Sequence, residues 1–429
     1  MVGSDDVHQR LETLWRMEFP ALVGMVTRMV GDLATAEDIV QDVSVIALDQ
    51  WRRDGMPRDP APWLRATAKH RAIDVLRRRR RTAAVLERAG FEDERRAVDD
   101  PSDEVLAHPV TDDVLQLVFL SCHPALSRDS QVALTLRLFG GLSGAEIARA
   151  FLVPEATVAQ RISRAKRTLR DASAELELPA PDQLPARIAA VSEVVYLIFN
   201  EGYAATSGAD WTRPDLCAEA VRLGRILTSL LPEQSELHGL AALMQLHASR
   251  LPARIDAEGR PVLLADQDRR RWDRLLIRQG ISALDRAVAL GGALRPYALQ
   301  ASIAACHARA ATDSATDWAR ITALYTVLSH VAPSPVVELN RAVAVGRSHG
   351  PAAGLAIVDA LTAGGELSSY PQLPAVRGDL LERAGRPGEA AISYRRAAER
   401  THNEGERSIF SARAADLEVD EQLGSDQPQ

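Results

Sequence analysis

The sequence predicts an all-α protein built from more than one domain. Apolar residues recur at helical spacing along most of the chain, and no segment shows the strict alternation of a strand. Apolar residues make up 46% of the chain and aromatic residues only 4%, which is typical of an Ala- and Leu-rich helical protein. A chain of 429 residues exceeds one ordinary core, so we expect two or three helical domains.

The first helical stretch covers residues 7–49 and contains one break. Apolar residues from Leu11 to Val30 recur at helical spacing, Gly31-Asp32 interrupts them, and the pattern resumes from Ala34 to Trp51. The next segment, residues 52–62, is rich in Pro and Gly and is therefore predicted to be a loop.

A basic helix is predicted to begin at Trp63 and to end in five consecutive arginines, Arg77 to Arg81. An aromatic side chain beside cations suits a single nucleic-acid strand, whose bases stack on rings and whose phosphates attract cations. The same pattern also fits a helix with a core tryptophan and a solvated basic tail. The segment alone leaves both interpretations open.

The net charge of −7 conceals a separation of charge along the chain. Residues 83–112 are acidic and interrupted by proline, which predicts a linker. Residues 83–127 carry a net charge of −7 (three Arg, ten acidic residues), and residues 128–171 carry +4 (eight basic, four acidic). The overall acidity therefore does not exclude DNA binding by the second stretch.

A second helical domain is predicted over residues 113–175, and it contains a helix-turn-helix pattern. A short helix ends near Phe151, Leu152-Val153-Pro154 forms a turn, and a basic helix follows from Glu155 to Arg170. The second helix of such a motif lies in the DNA major groove. The alternative is an ordinary amphipathic helix with a solvated, arginine-rich face.

Residues 185–420 are predicted to form a larger helical region, separated from the rest by Pro179, Pro181 and Pro185. Similar segments begin at Ala323, Ala356 and Ala391, which are 33 and 35 residues apart. The spacing and the Gly385–Ala397 segment resemble tetratricopeptide repeats, which are 34-residue helix pairs that stack into a curved scaffold.

Features of an enzyme or a metalloprotein are weak. Three cysteines cannot form a disulfide framework, and the pairs Cys122-His123 and Cys306-His307 have the wrong spacing to share an ion on a helix. We therefore expect packed core residues there, with no catalytic residue, no metal and no cofactor. No targeting or membrane-spanning segment is evident, so a cytoplasmic protein without membrane contacts is expected. Gln267-Asp268 and Trp272 either line a small-molecule pocket or cap and pack helices.

Taken together, these segments resemble the extracytoplasmic-function group of bacterial sigma-70 factors, which keep only the second and fourth sigma regions. Ala36–Asp42 is similar to the polymerase-clamp motif of region 2, and Trp63–Ala68 with Ala72–Arg78 to its −10 helix. The −35 helix-turn-helix is matched by Leu138–Ala148, Ala156–Val158 and Arg161–Ala165. The remainder resembles a subgroup with a tetratricopeptide-like C-terminal extension, through the segments Asn200–Tyr203, Gln267–Arg269, Arg271–Asp273 and Pro333–Val343.

The resemblance implies partners and site residues. The partners would be core RNA polymerase, through its β′ clamp and β flap, and promoter DNA; the extension could hold an unknown ligand or protein. The polymerase-binding residues would be Glu37, Asp38, Gln41 and Asp42. The loop 52–62 with His70 would hold a flipped base of the −10 element, and the −10 contacts would be Trp63, Lys69, His70, Arg71, Arg77 and Arg78. The −35 contacts would be Thr157, Gln160, Arg161, Ser163, Arg164 and Arg167.

The resemblance also implies the activity: promoter recognition and transcription initiation, controlled by the fused helical domain. Two positions depart from the family pattern. His70 stands where Asn is usual, and Pro154 replaces a Ser that would cap the recognition helix. The alternative function is a helix-turn-helix regulator with a ligand-sensing repeat domain, which would bind duplex operators without polymerase.

Overall fold

The structure, a computed structural model, describes residues 4–88, 110–140, 142–151, 153–204 and 211–425. These residues contain eighteen α-helices and no strand, which confirms the predicted all-α class. The helices of the first half are α1 (Ser4–Val30), α2 (Leu33–Asp54), α3 (Pro60–Arg88), α4 (Val110–Ser121), α5 (Arg128–Leu138), α6 (Gly144–Phe151), α7 (Glu155–Asp171) and α8 (Leu184–Tyr203). Those of the second half are α9 (Pro214–Leu230), α10 (Ser235–Ala248), α11 (Arg274–Ala289), α12 (Pro296–Arg309), α13 (Trp318–Val331), α14 (Pro335–His349), α15 (Pro351–Gly364), α16 (Gln372–Arg383), α17 (Pro387–Arg400) and α18 (Glu404–Ser425).

The chain divides into two compact units, residues 1–194 and residues 195–429. Helix α8 is continuous across this division. The first unit contains both segments predicted to touch DNA, and the second contains most of the helical extension.

The break between α1 and α2 lies where the sequence predicts it. Gly31 adopts a left-handed φ of 69°, which residues with a Cβ rarely adopt. Asp32 then caps α2, since its carboxylate accepts a hydrogen bond from the Thr35 backbone N–H at 2.9 Å. The apolar faces of α1, α2 and α3 pack together around buried residues that include Leu22, Val40 and Leu64.

The predicted loop over residues 52–62 is shorter than expected, which corrects that prediction. Helix α2 continues to Asp54 and ends at Gly55 with φ 82°, and α3 already begins at Pro60. Proline is tolerated in the first turn of a helix, because the N–H groups there have no partner inside the helix. The prolines at 60 and 62 therefore begin a helix instead of preventing one.

The predicted acidic linker, residues 83–112, is partly helical. Helix α3 extends to Arg88 and α4 begins at Val110. Residues 83–88, Ala-Ala-Val-Leu-Glu-Arg, are mostly good helix formers, which explains the extension. The remainder of the predicted linker, 89–109, lies outside the described residues.

Helices α6 and α7 form the predicted helix-turn-helix. Ser143 and Glu146 make a capping box at the start of α6, where the Glu146 carboxylate accepts from the Ser143 N–H at 2.7 Å and Ser143 Oγ accepts from the Glu146 N–H at 3.2 Å. Pro154 stands at the N-cap of α7 and supplies no side-chain hydrogen bond, as expected from its departure from the family pattern. Val158, Ala165 and Leu169 anchor α7 in the core.

Helix α4 lies against α1 at a point where only glycine fits. A Cβ added to Gly24 would stand 2.9 Å from the Asp113 carbonyl oxygen, so the two backbones are in close contact. The buried carboxylate of Asp113 accepts a hydrogen bond from Arg28 at 2.9 Å. This contact joins the α1–α3 module to the α4–α7 module within the first unit.

The second unit stacks helix pairs in sequence order, as expected of a tetratricopeptide-like region. Three apolar clusters follow one another along the chain: one among α10, α11 and α12, a second among α12, α13 and α14, and a third among helices α14 to α18. Three-residue 3-10 turns at Leu251–Ala253, Leu264–Asp266 and Arg269–Arg271 connect α10 to α11. Gly385, with φ 71°, makes the turn before α17.

Helices α14 and α15 cross closely at a glycine. A Cβ added to Gly354 would lie 2.7 Å from the Ala342 carbonyl oxygen and 3.0 Å from the Gly346 Cα. Gly364, at the other end of α15, has no atom within 4 Å of such a Cβ. The same helix therefore offers one tightly packed glycine and one open glycine.

We expect Gly354→Ala to lower the free energy of unfolding of the second unit by about 1–3 kcal/mol, because overpacking against a backbone forces the helices apart. Gly364→Ala is the matched control and should stay within about 0.5 kcal/mol of the parent, or above it. Urea unfolding followed by circular dichroism measures both changes. Equal stability of the two variants would contradict the packing.

Candidate nucleic-acid and polymerase interface

The residues predicted to contact the −10 element lie along α3. His70, Arg71, Arg77 and Arg78 are exposed, and Trp63 and Lys69 are half-buried. The Trp63 ring packs edge-on against the buried Trp51 ring, with 5.2 Å between the centroids. Trp63 therefore makes a core contact and also has a partly solvated face. This position is compatible with both interpretations of the sequence, a nucleic-acid contact and a core tryptophan.

One arginine of the basic run is held by the protein itself. Arg79 Nη2 donates to Thr35 Oγ1 at 2.6 Å and Nη1 donates to the Val30 carbonyl at 3.4 Å, so this guanidinium fastens α3 to the α1–α2 junction. Arg77 and Arg78 lie on the exposed side of the helix. Arg79 thus makes contacts within the protein, and the Arg77 and Arg78 side chains are exposed.

Helix α7 presents its polar face to solvent. Gln160, Ser163, Arg164 and Arg167 are exposed, whereas Thr157 and Arg161 are half-buried. Arg161 pairs with Asp129 on α5, with 2.6 Å between Nη2 and Oδ2. Four of the six predicted −35 contacts are therefore accessible, and Arg161 would have to release Asp129 to reach a base.

The four predicted polymerase contacts on α2 lie on two different faces. Asp38 and Asp42 are exposed, which suits contact with a basic partner. Glu37 is only 2% exposed, and the half-buried Gln41 donates to its Oε1 at 3.1 Å. Glu37 thus faces inward, and the sequence prediction did not anticipate this.

The Glu37 carboxylate lies between two cations from the α4–α7 module. Arg137 Nε on α5 donates to Oε1 at 2.8 Å, and Lys166 Nζ on α7 stands 2.8 Å from Oε2. Burial of the Glu37 carboxyl disfavours its charge, but attraction by Lys166 and Arg137 outweighs burial and lowers its pKa. The carboxylate is therefore ionised and bridges the two modules.

A second bridge lies beside the first. Arg170 of α7 donates through Nε and Nη2 to Oδ1 of Asp32 at 3.1 and 3.0 Å. Burial opposes the charge of Asp32, but hydrogen bonds from Thr35 and Arg170 lower its pKa. Lys166 and Arg170 are four residues apart, so one face of α7 is fastened to α2 while the other stays solvated.

Sequence reasoning missed Arg137, Lys166 and Arg170 as bridging residues. The sequence pattern predicted a basic helix at α7. A basic helix can bind DNA or pair with acidic residues of the same protein, and the pattern does not distinguish between these contacts. The available signal was the acidic run on α2, whose charge complements α7.

Of the Cys-His pairs noted from sequence, His123 is half-buried and the other three residues are core residues as expected. Cys122, Cys306 and His307 are buried, and the described residues contain no group of three His, Cys, Asp or Glu side chains that could hold a metal. Asp268 accepts from the Arg270 N–H, so it caps a 3-10 turn, and Trp272 is buried in the cluster of α10, α11 and α12.

None of the helices among the described residues is apolar over a length that would cross a bilayer.

Comparison with protein families divides the chain in the same order as the structure. Residues 14–82 match Sigma-70 region 2, residues 116–169 match Sigma-70 region 4, and residues 187–288 match a family of unknown function, DUF6596. No solved structure matches the chain.

Similar proteins fall into two kinds. Uncharacterized protein R00370 of Rhizobium meliloti is 43% identical over 378 residues, covering 88% of this chain and 89% of that protein. The ECF RNA polymerase sigma factor SigK of Mycobacterium ulcerans is 28% identical, covering 39% of this chain and 94% of its own. The RNA polymerase sigma factor CarQ of Myxococcus xanthus is 29% identical, covering 41% and 95%.

We expect Glu37→Gln to lower the free energy of unfolding of the first unit by about 1–3 kcal/mol at pH 7, because it removes a buried charge facing two cations. Since the folded pKa of Glu37 is lowered, its contribution is complete above the ordinary value of 4.5 and is lost as the pH falls through the folded pKa. The difference between parent and variant should therefore shrink on acidification. Thermal unfolding between pH 7 and pH 3 measures it.

Asp38→Asn is the matched control, since Asp38 is exposed on the same helix. It should change stability by less than about 0.5 kcal/mol. A gap between Glu37→Gln and the parent that stays constant down to pH 3 would contradict the ionised bridge.

Proposed function

Because this chain belongs to the extracytoplasmic-function sigma factors of the sigma-70 class that carry a helical C-terminal extension, we propose that the extension controls promoter recognition and transcription initiation by the two sigma regions. Sigma factors of this class are non-enzymatic initiation factors, and we propose that the chain acts through binding free energy without covalent chemistry of its own. The core polymerase and promoter DNA are its partners as a sigma factor.

Promoter recognition by the two sigma regions is supported most strongly by the placement of two cationic helices on two modules. Helix α3 lies within the region 2 match and α7 within the region 4 match, and both present exposed arginines, including Arg71 and Arg164. Recognition of two separated promoter elements requires two such helices on distinct modules.

We propose that α2 and α3 serve polymerase binding and the −10 element. Asp38 and Asp42 offer exposed carboxylates to the β′ clamp, with Glu37 and Gln41 joining once they are uncovered. On α3, Trp63 and His70 stack or hydrogen-bond unstacked bases while Arg77 and Arg78 contact phosphates. Capture of unstacked bases makes duplex melting favourable.

We propose that α7 reads the −35 element, with the α4–α7 module contacting the β flap. Arg164 is exposed at mid-helix and has the fork geometry to bridge O6 and N7 of guanine. Gln160, Ser163 and Arg167 lie on the same solvated face, and Thr157 near the helix N-terminus is placed for a phosphate.

Such recognition requires the two modules to separate. The centres of the −35 and −10 elements lie roughly 25 base pairs apart, or about 85 Å at 3.4 Å per pair. A compact unit of this size is only about 40 Å across. The 21 residues from 89 to 109 can reach roughly 70 Å when extended, so the covalent connection allows the separation. Opening would break the Glu37 and Asp32 bridges and expose Glu37.

We expect Arg164→Ala to relax the −35 preference of the polymerase complex, with a loss of about 1–3 kcal/mol confined to promoters that carry the preferred base. Arg149→Ala, an exposed arginine on the preceding helix α6, is the control and should weaken binding evenly or leave it unchanged. Run-off transcription on a promoter and its single-base variants measures the preference. An equal loss on every promoter would exclude Arg164 from base recognition.

Control by the extension is tested by run-off transcription with core polymerase and two chains, the full protein and residues 1–183, which end before α8. Transcripts from the full protein alone would make the extension a required activator, and stronger transcripts from the short chain would make it an inhibitor. Equal transcription would contradict control in cis. Circular dichroism and core-polymerase binding of the short chain first establish that it folds.

Binding to duplex DNA and to core polymerase distinguishes the alternative function from a sigma factor. A protein that shifts duplex DNA by itself and never binds core polymerase would be a helix-turn-helix regulator instead of a sigma factor.

A further inference from the structure

Two arginines are buried in the second unit on either side of a 3-10 turn. Arg250 precedes the Leu251–Ala253 turn and Arg254 follows it, and they are 3% and 8% exposed. The Arg254 guanidinium lies over the Tyr203 ring, 4.0 Å from its centroid, and 5.1 Å from that of Trp211. Arg250 lies over Trp272 at 5.2 Å.

Neither guanidinium has a carboxylate partner among the described residues. Arg250 donates to the Ala304 carbonyl at 3.4 Å and hydrogen-bonds the Tyr203 hydroxyl, and no hydrogen bond joins the Arg254 side chain to another described residue. The Nε atoms of both arginines are buried without a partner. Both charges are therefore uncompensated in the described part of the unit.

The neighbouring buried arginine shows what a structural role looks like in this unit. Arg269 Nη1 donates to the His307 and Ala310 carbonyls at 2.7 and 2.9 Å, and its Nη2 stands 3.5 Å from the Asp313 carboxylate. The Arg269 guanidinium therefore has a counter-charge from Asp313 and hydrogen-bond acceptors in the two carbonyl groups. Arg269 also lies over an aromatic ring, 5.0 Å from the Trp272 centroid. Arg250 and Arg254 differ from it in having neither an acid nor a full set of acceptors among the described residues.

A neutral histidine lies beside the two arginines and supplies no counter-charge. His247 is one turn before Arg250 on α10, its ring lies 5.1 Å from that of Tyr203, and its Nδ1 is buried without a partner. Burial lowers the pKa of His247 well below its ordinary value, and the charges of Arg250 and Arg254 lower it further. A buried positive region without counter-charge is costly, and a bound anion would compensate it.

We propose that Arg250 and Arg254 form a binding site for the phosphoryl group of a small ligand, a site within the extension that no family match assigns. Tyr203 joins the two guanidiniums, since its hydroxyl meets Arg250 and its ring stacks on Arg254. Two guanidiniums match the charge of a phosphate dianion and offer donors in the geometry that its oxygens accept.

The burial of the site restricts the class of ligand. Tyr203, Trp211 and His247 are half-buried, whereas the two arginines beside them are buried. With no more than 8% of either arginine exposed, the backbone of a nucleic acid or of a folded protein could not reach both. A small phosphorylated molecule could.

The test is thermal unfolding of the full-length protein in inorganic phosphate, compared with sodium chloride of equal ionic strength. A ligand that binds the folded state alone should raise Tm by about 3–6 °C for each tenfold rise in phosphate above its Kd. Arg254→Gln should abolish this rise. The control Arg270→Gln removes an exposed arginine from the same segment and should retain it.

Titration of the parent protein by isothermal calorimetry keeps the proposal testable if Arg254→Gln does not fold. Saturable binding of phosphate, and weaker binding of succinate at the same ionic strength, would support a phosphoryl site. Equal stabilisation by phosphate and chloride, or a phosphate effect retained in Arg254→Gln, would overturn it. Tighter binding of succinate would overturn the phosphoryl class. These measurements do not involve transcription, so their outcome is independent of the proposed sigma activity.

Discussion

The buried carboxylate of Glu37 is the interaction on which the arrangement of the first unit depends. It stands between Arg137 and Lys166, which come from two different helices of the other module. Removal of Glu37 leaves two cations facing each other, and removal of either cation leaves the carboxylate with one counter-charge instead of two, in a place where water compensates poorly. The contact helps to decide which sides of α2 and α7 are turned inward and which stay exposed.

The sequence was sufficient for the helical class, the break at Gly31-Asp32 and the helix-turn-helix, because each follows from local periodicity or from a backbone requirement. It was insufficient for the start of α3, since Pro60 is compatible with a loop and with a first helical turn alike. The inward orientation of Glu37 also could not be predicted from the sequence. Polar residues occupy both faces of α2 around it, and only the tertiary partner selects the buried one.

The arginines have several different structural roles, which the composition alone does not show. The chain has 51 basic residues, and only Lys69 and Lys166 are lysines, so nearly every cationic role falls to a guanidinium. Arg79 and Arg269 satisfy backbone carbonyls at helix ends, and Arg254 stacks on aromatic rings. A planar, weakly hydrated cation with five donors can do all of this, whereas an ammonium cannot. Residue type alone therefore does not reveal which arginines face DNA.

The position of Glu37 has a consequence for the strength of polymerase binding. If the closed unit hides a group that polymerase needs, only the open population can bind, and the apparent Kd equals the intrinsic Kd divided by the open fraction. An open fraction of about 1% would weaken apparent affinity about 100-fold. A change at Arg137, the Glu37 partner on α5, would then tune how well this chain competes for a limited supply of polymerase, without altering a residue proposed to contact it.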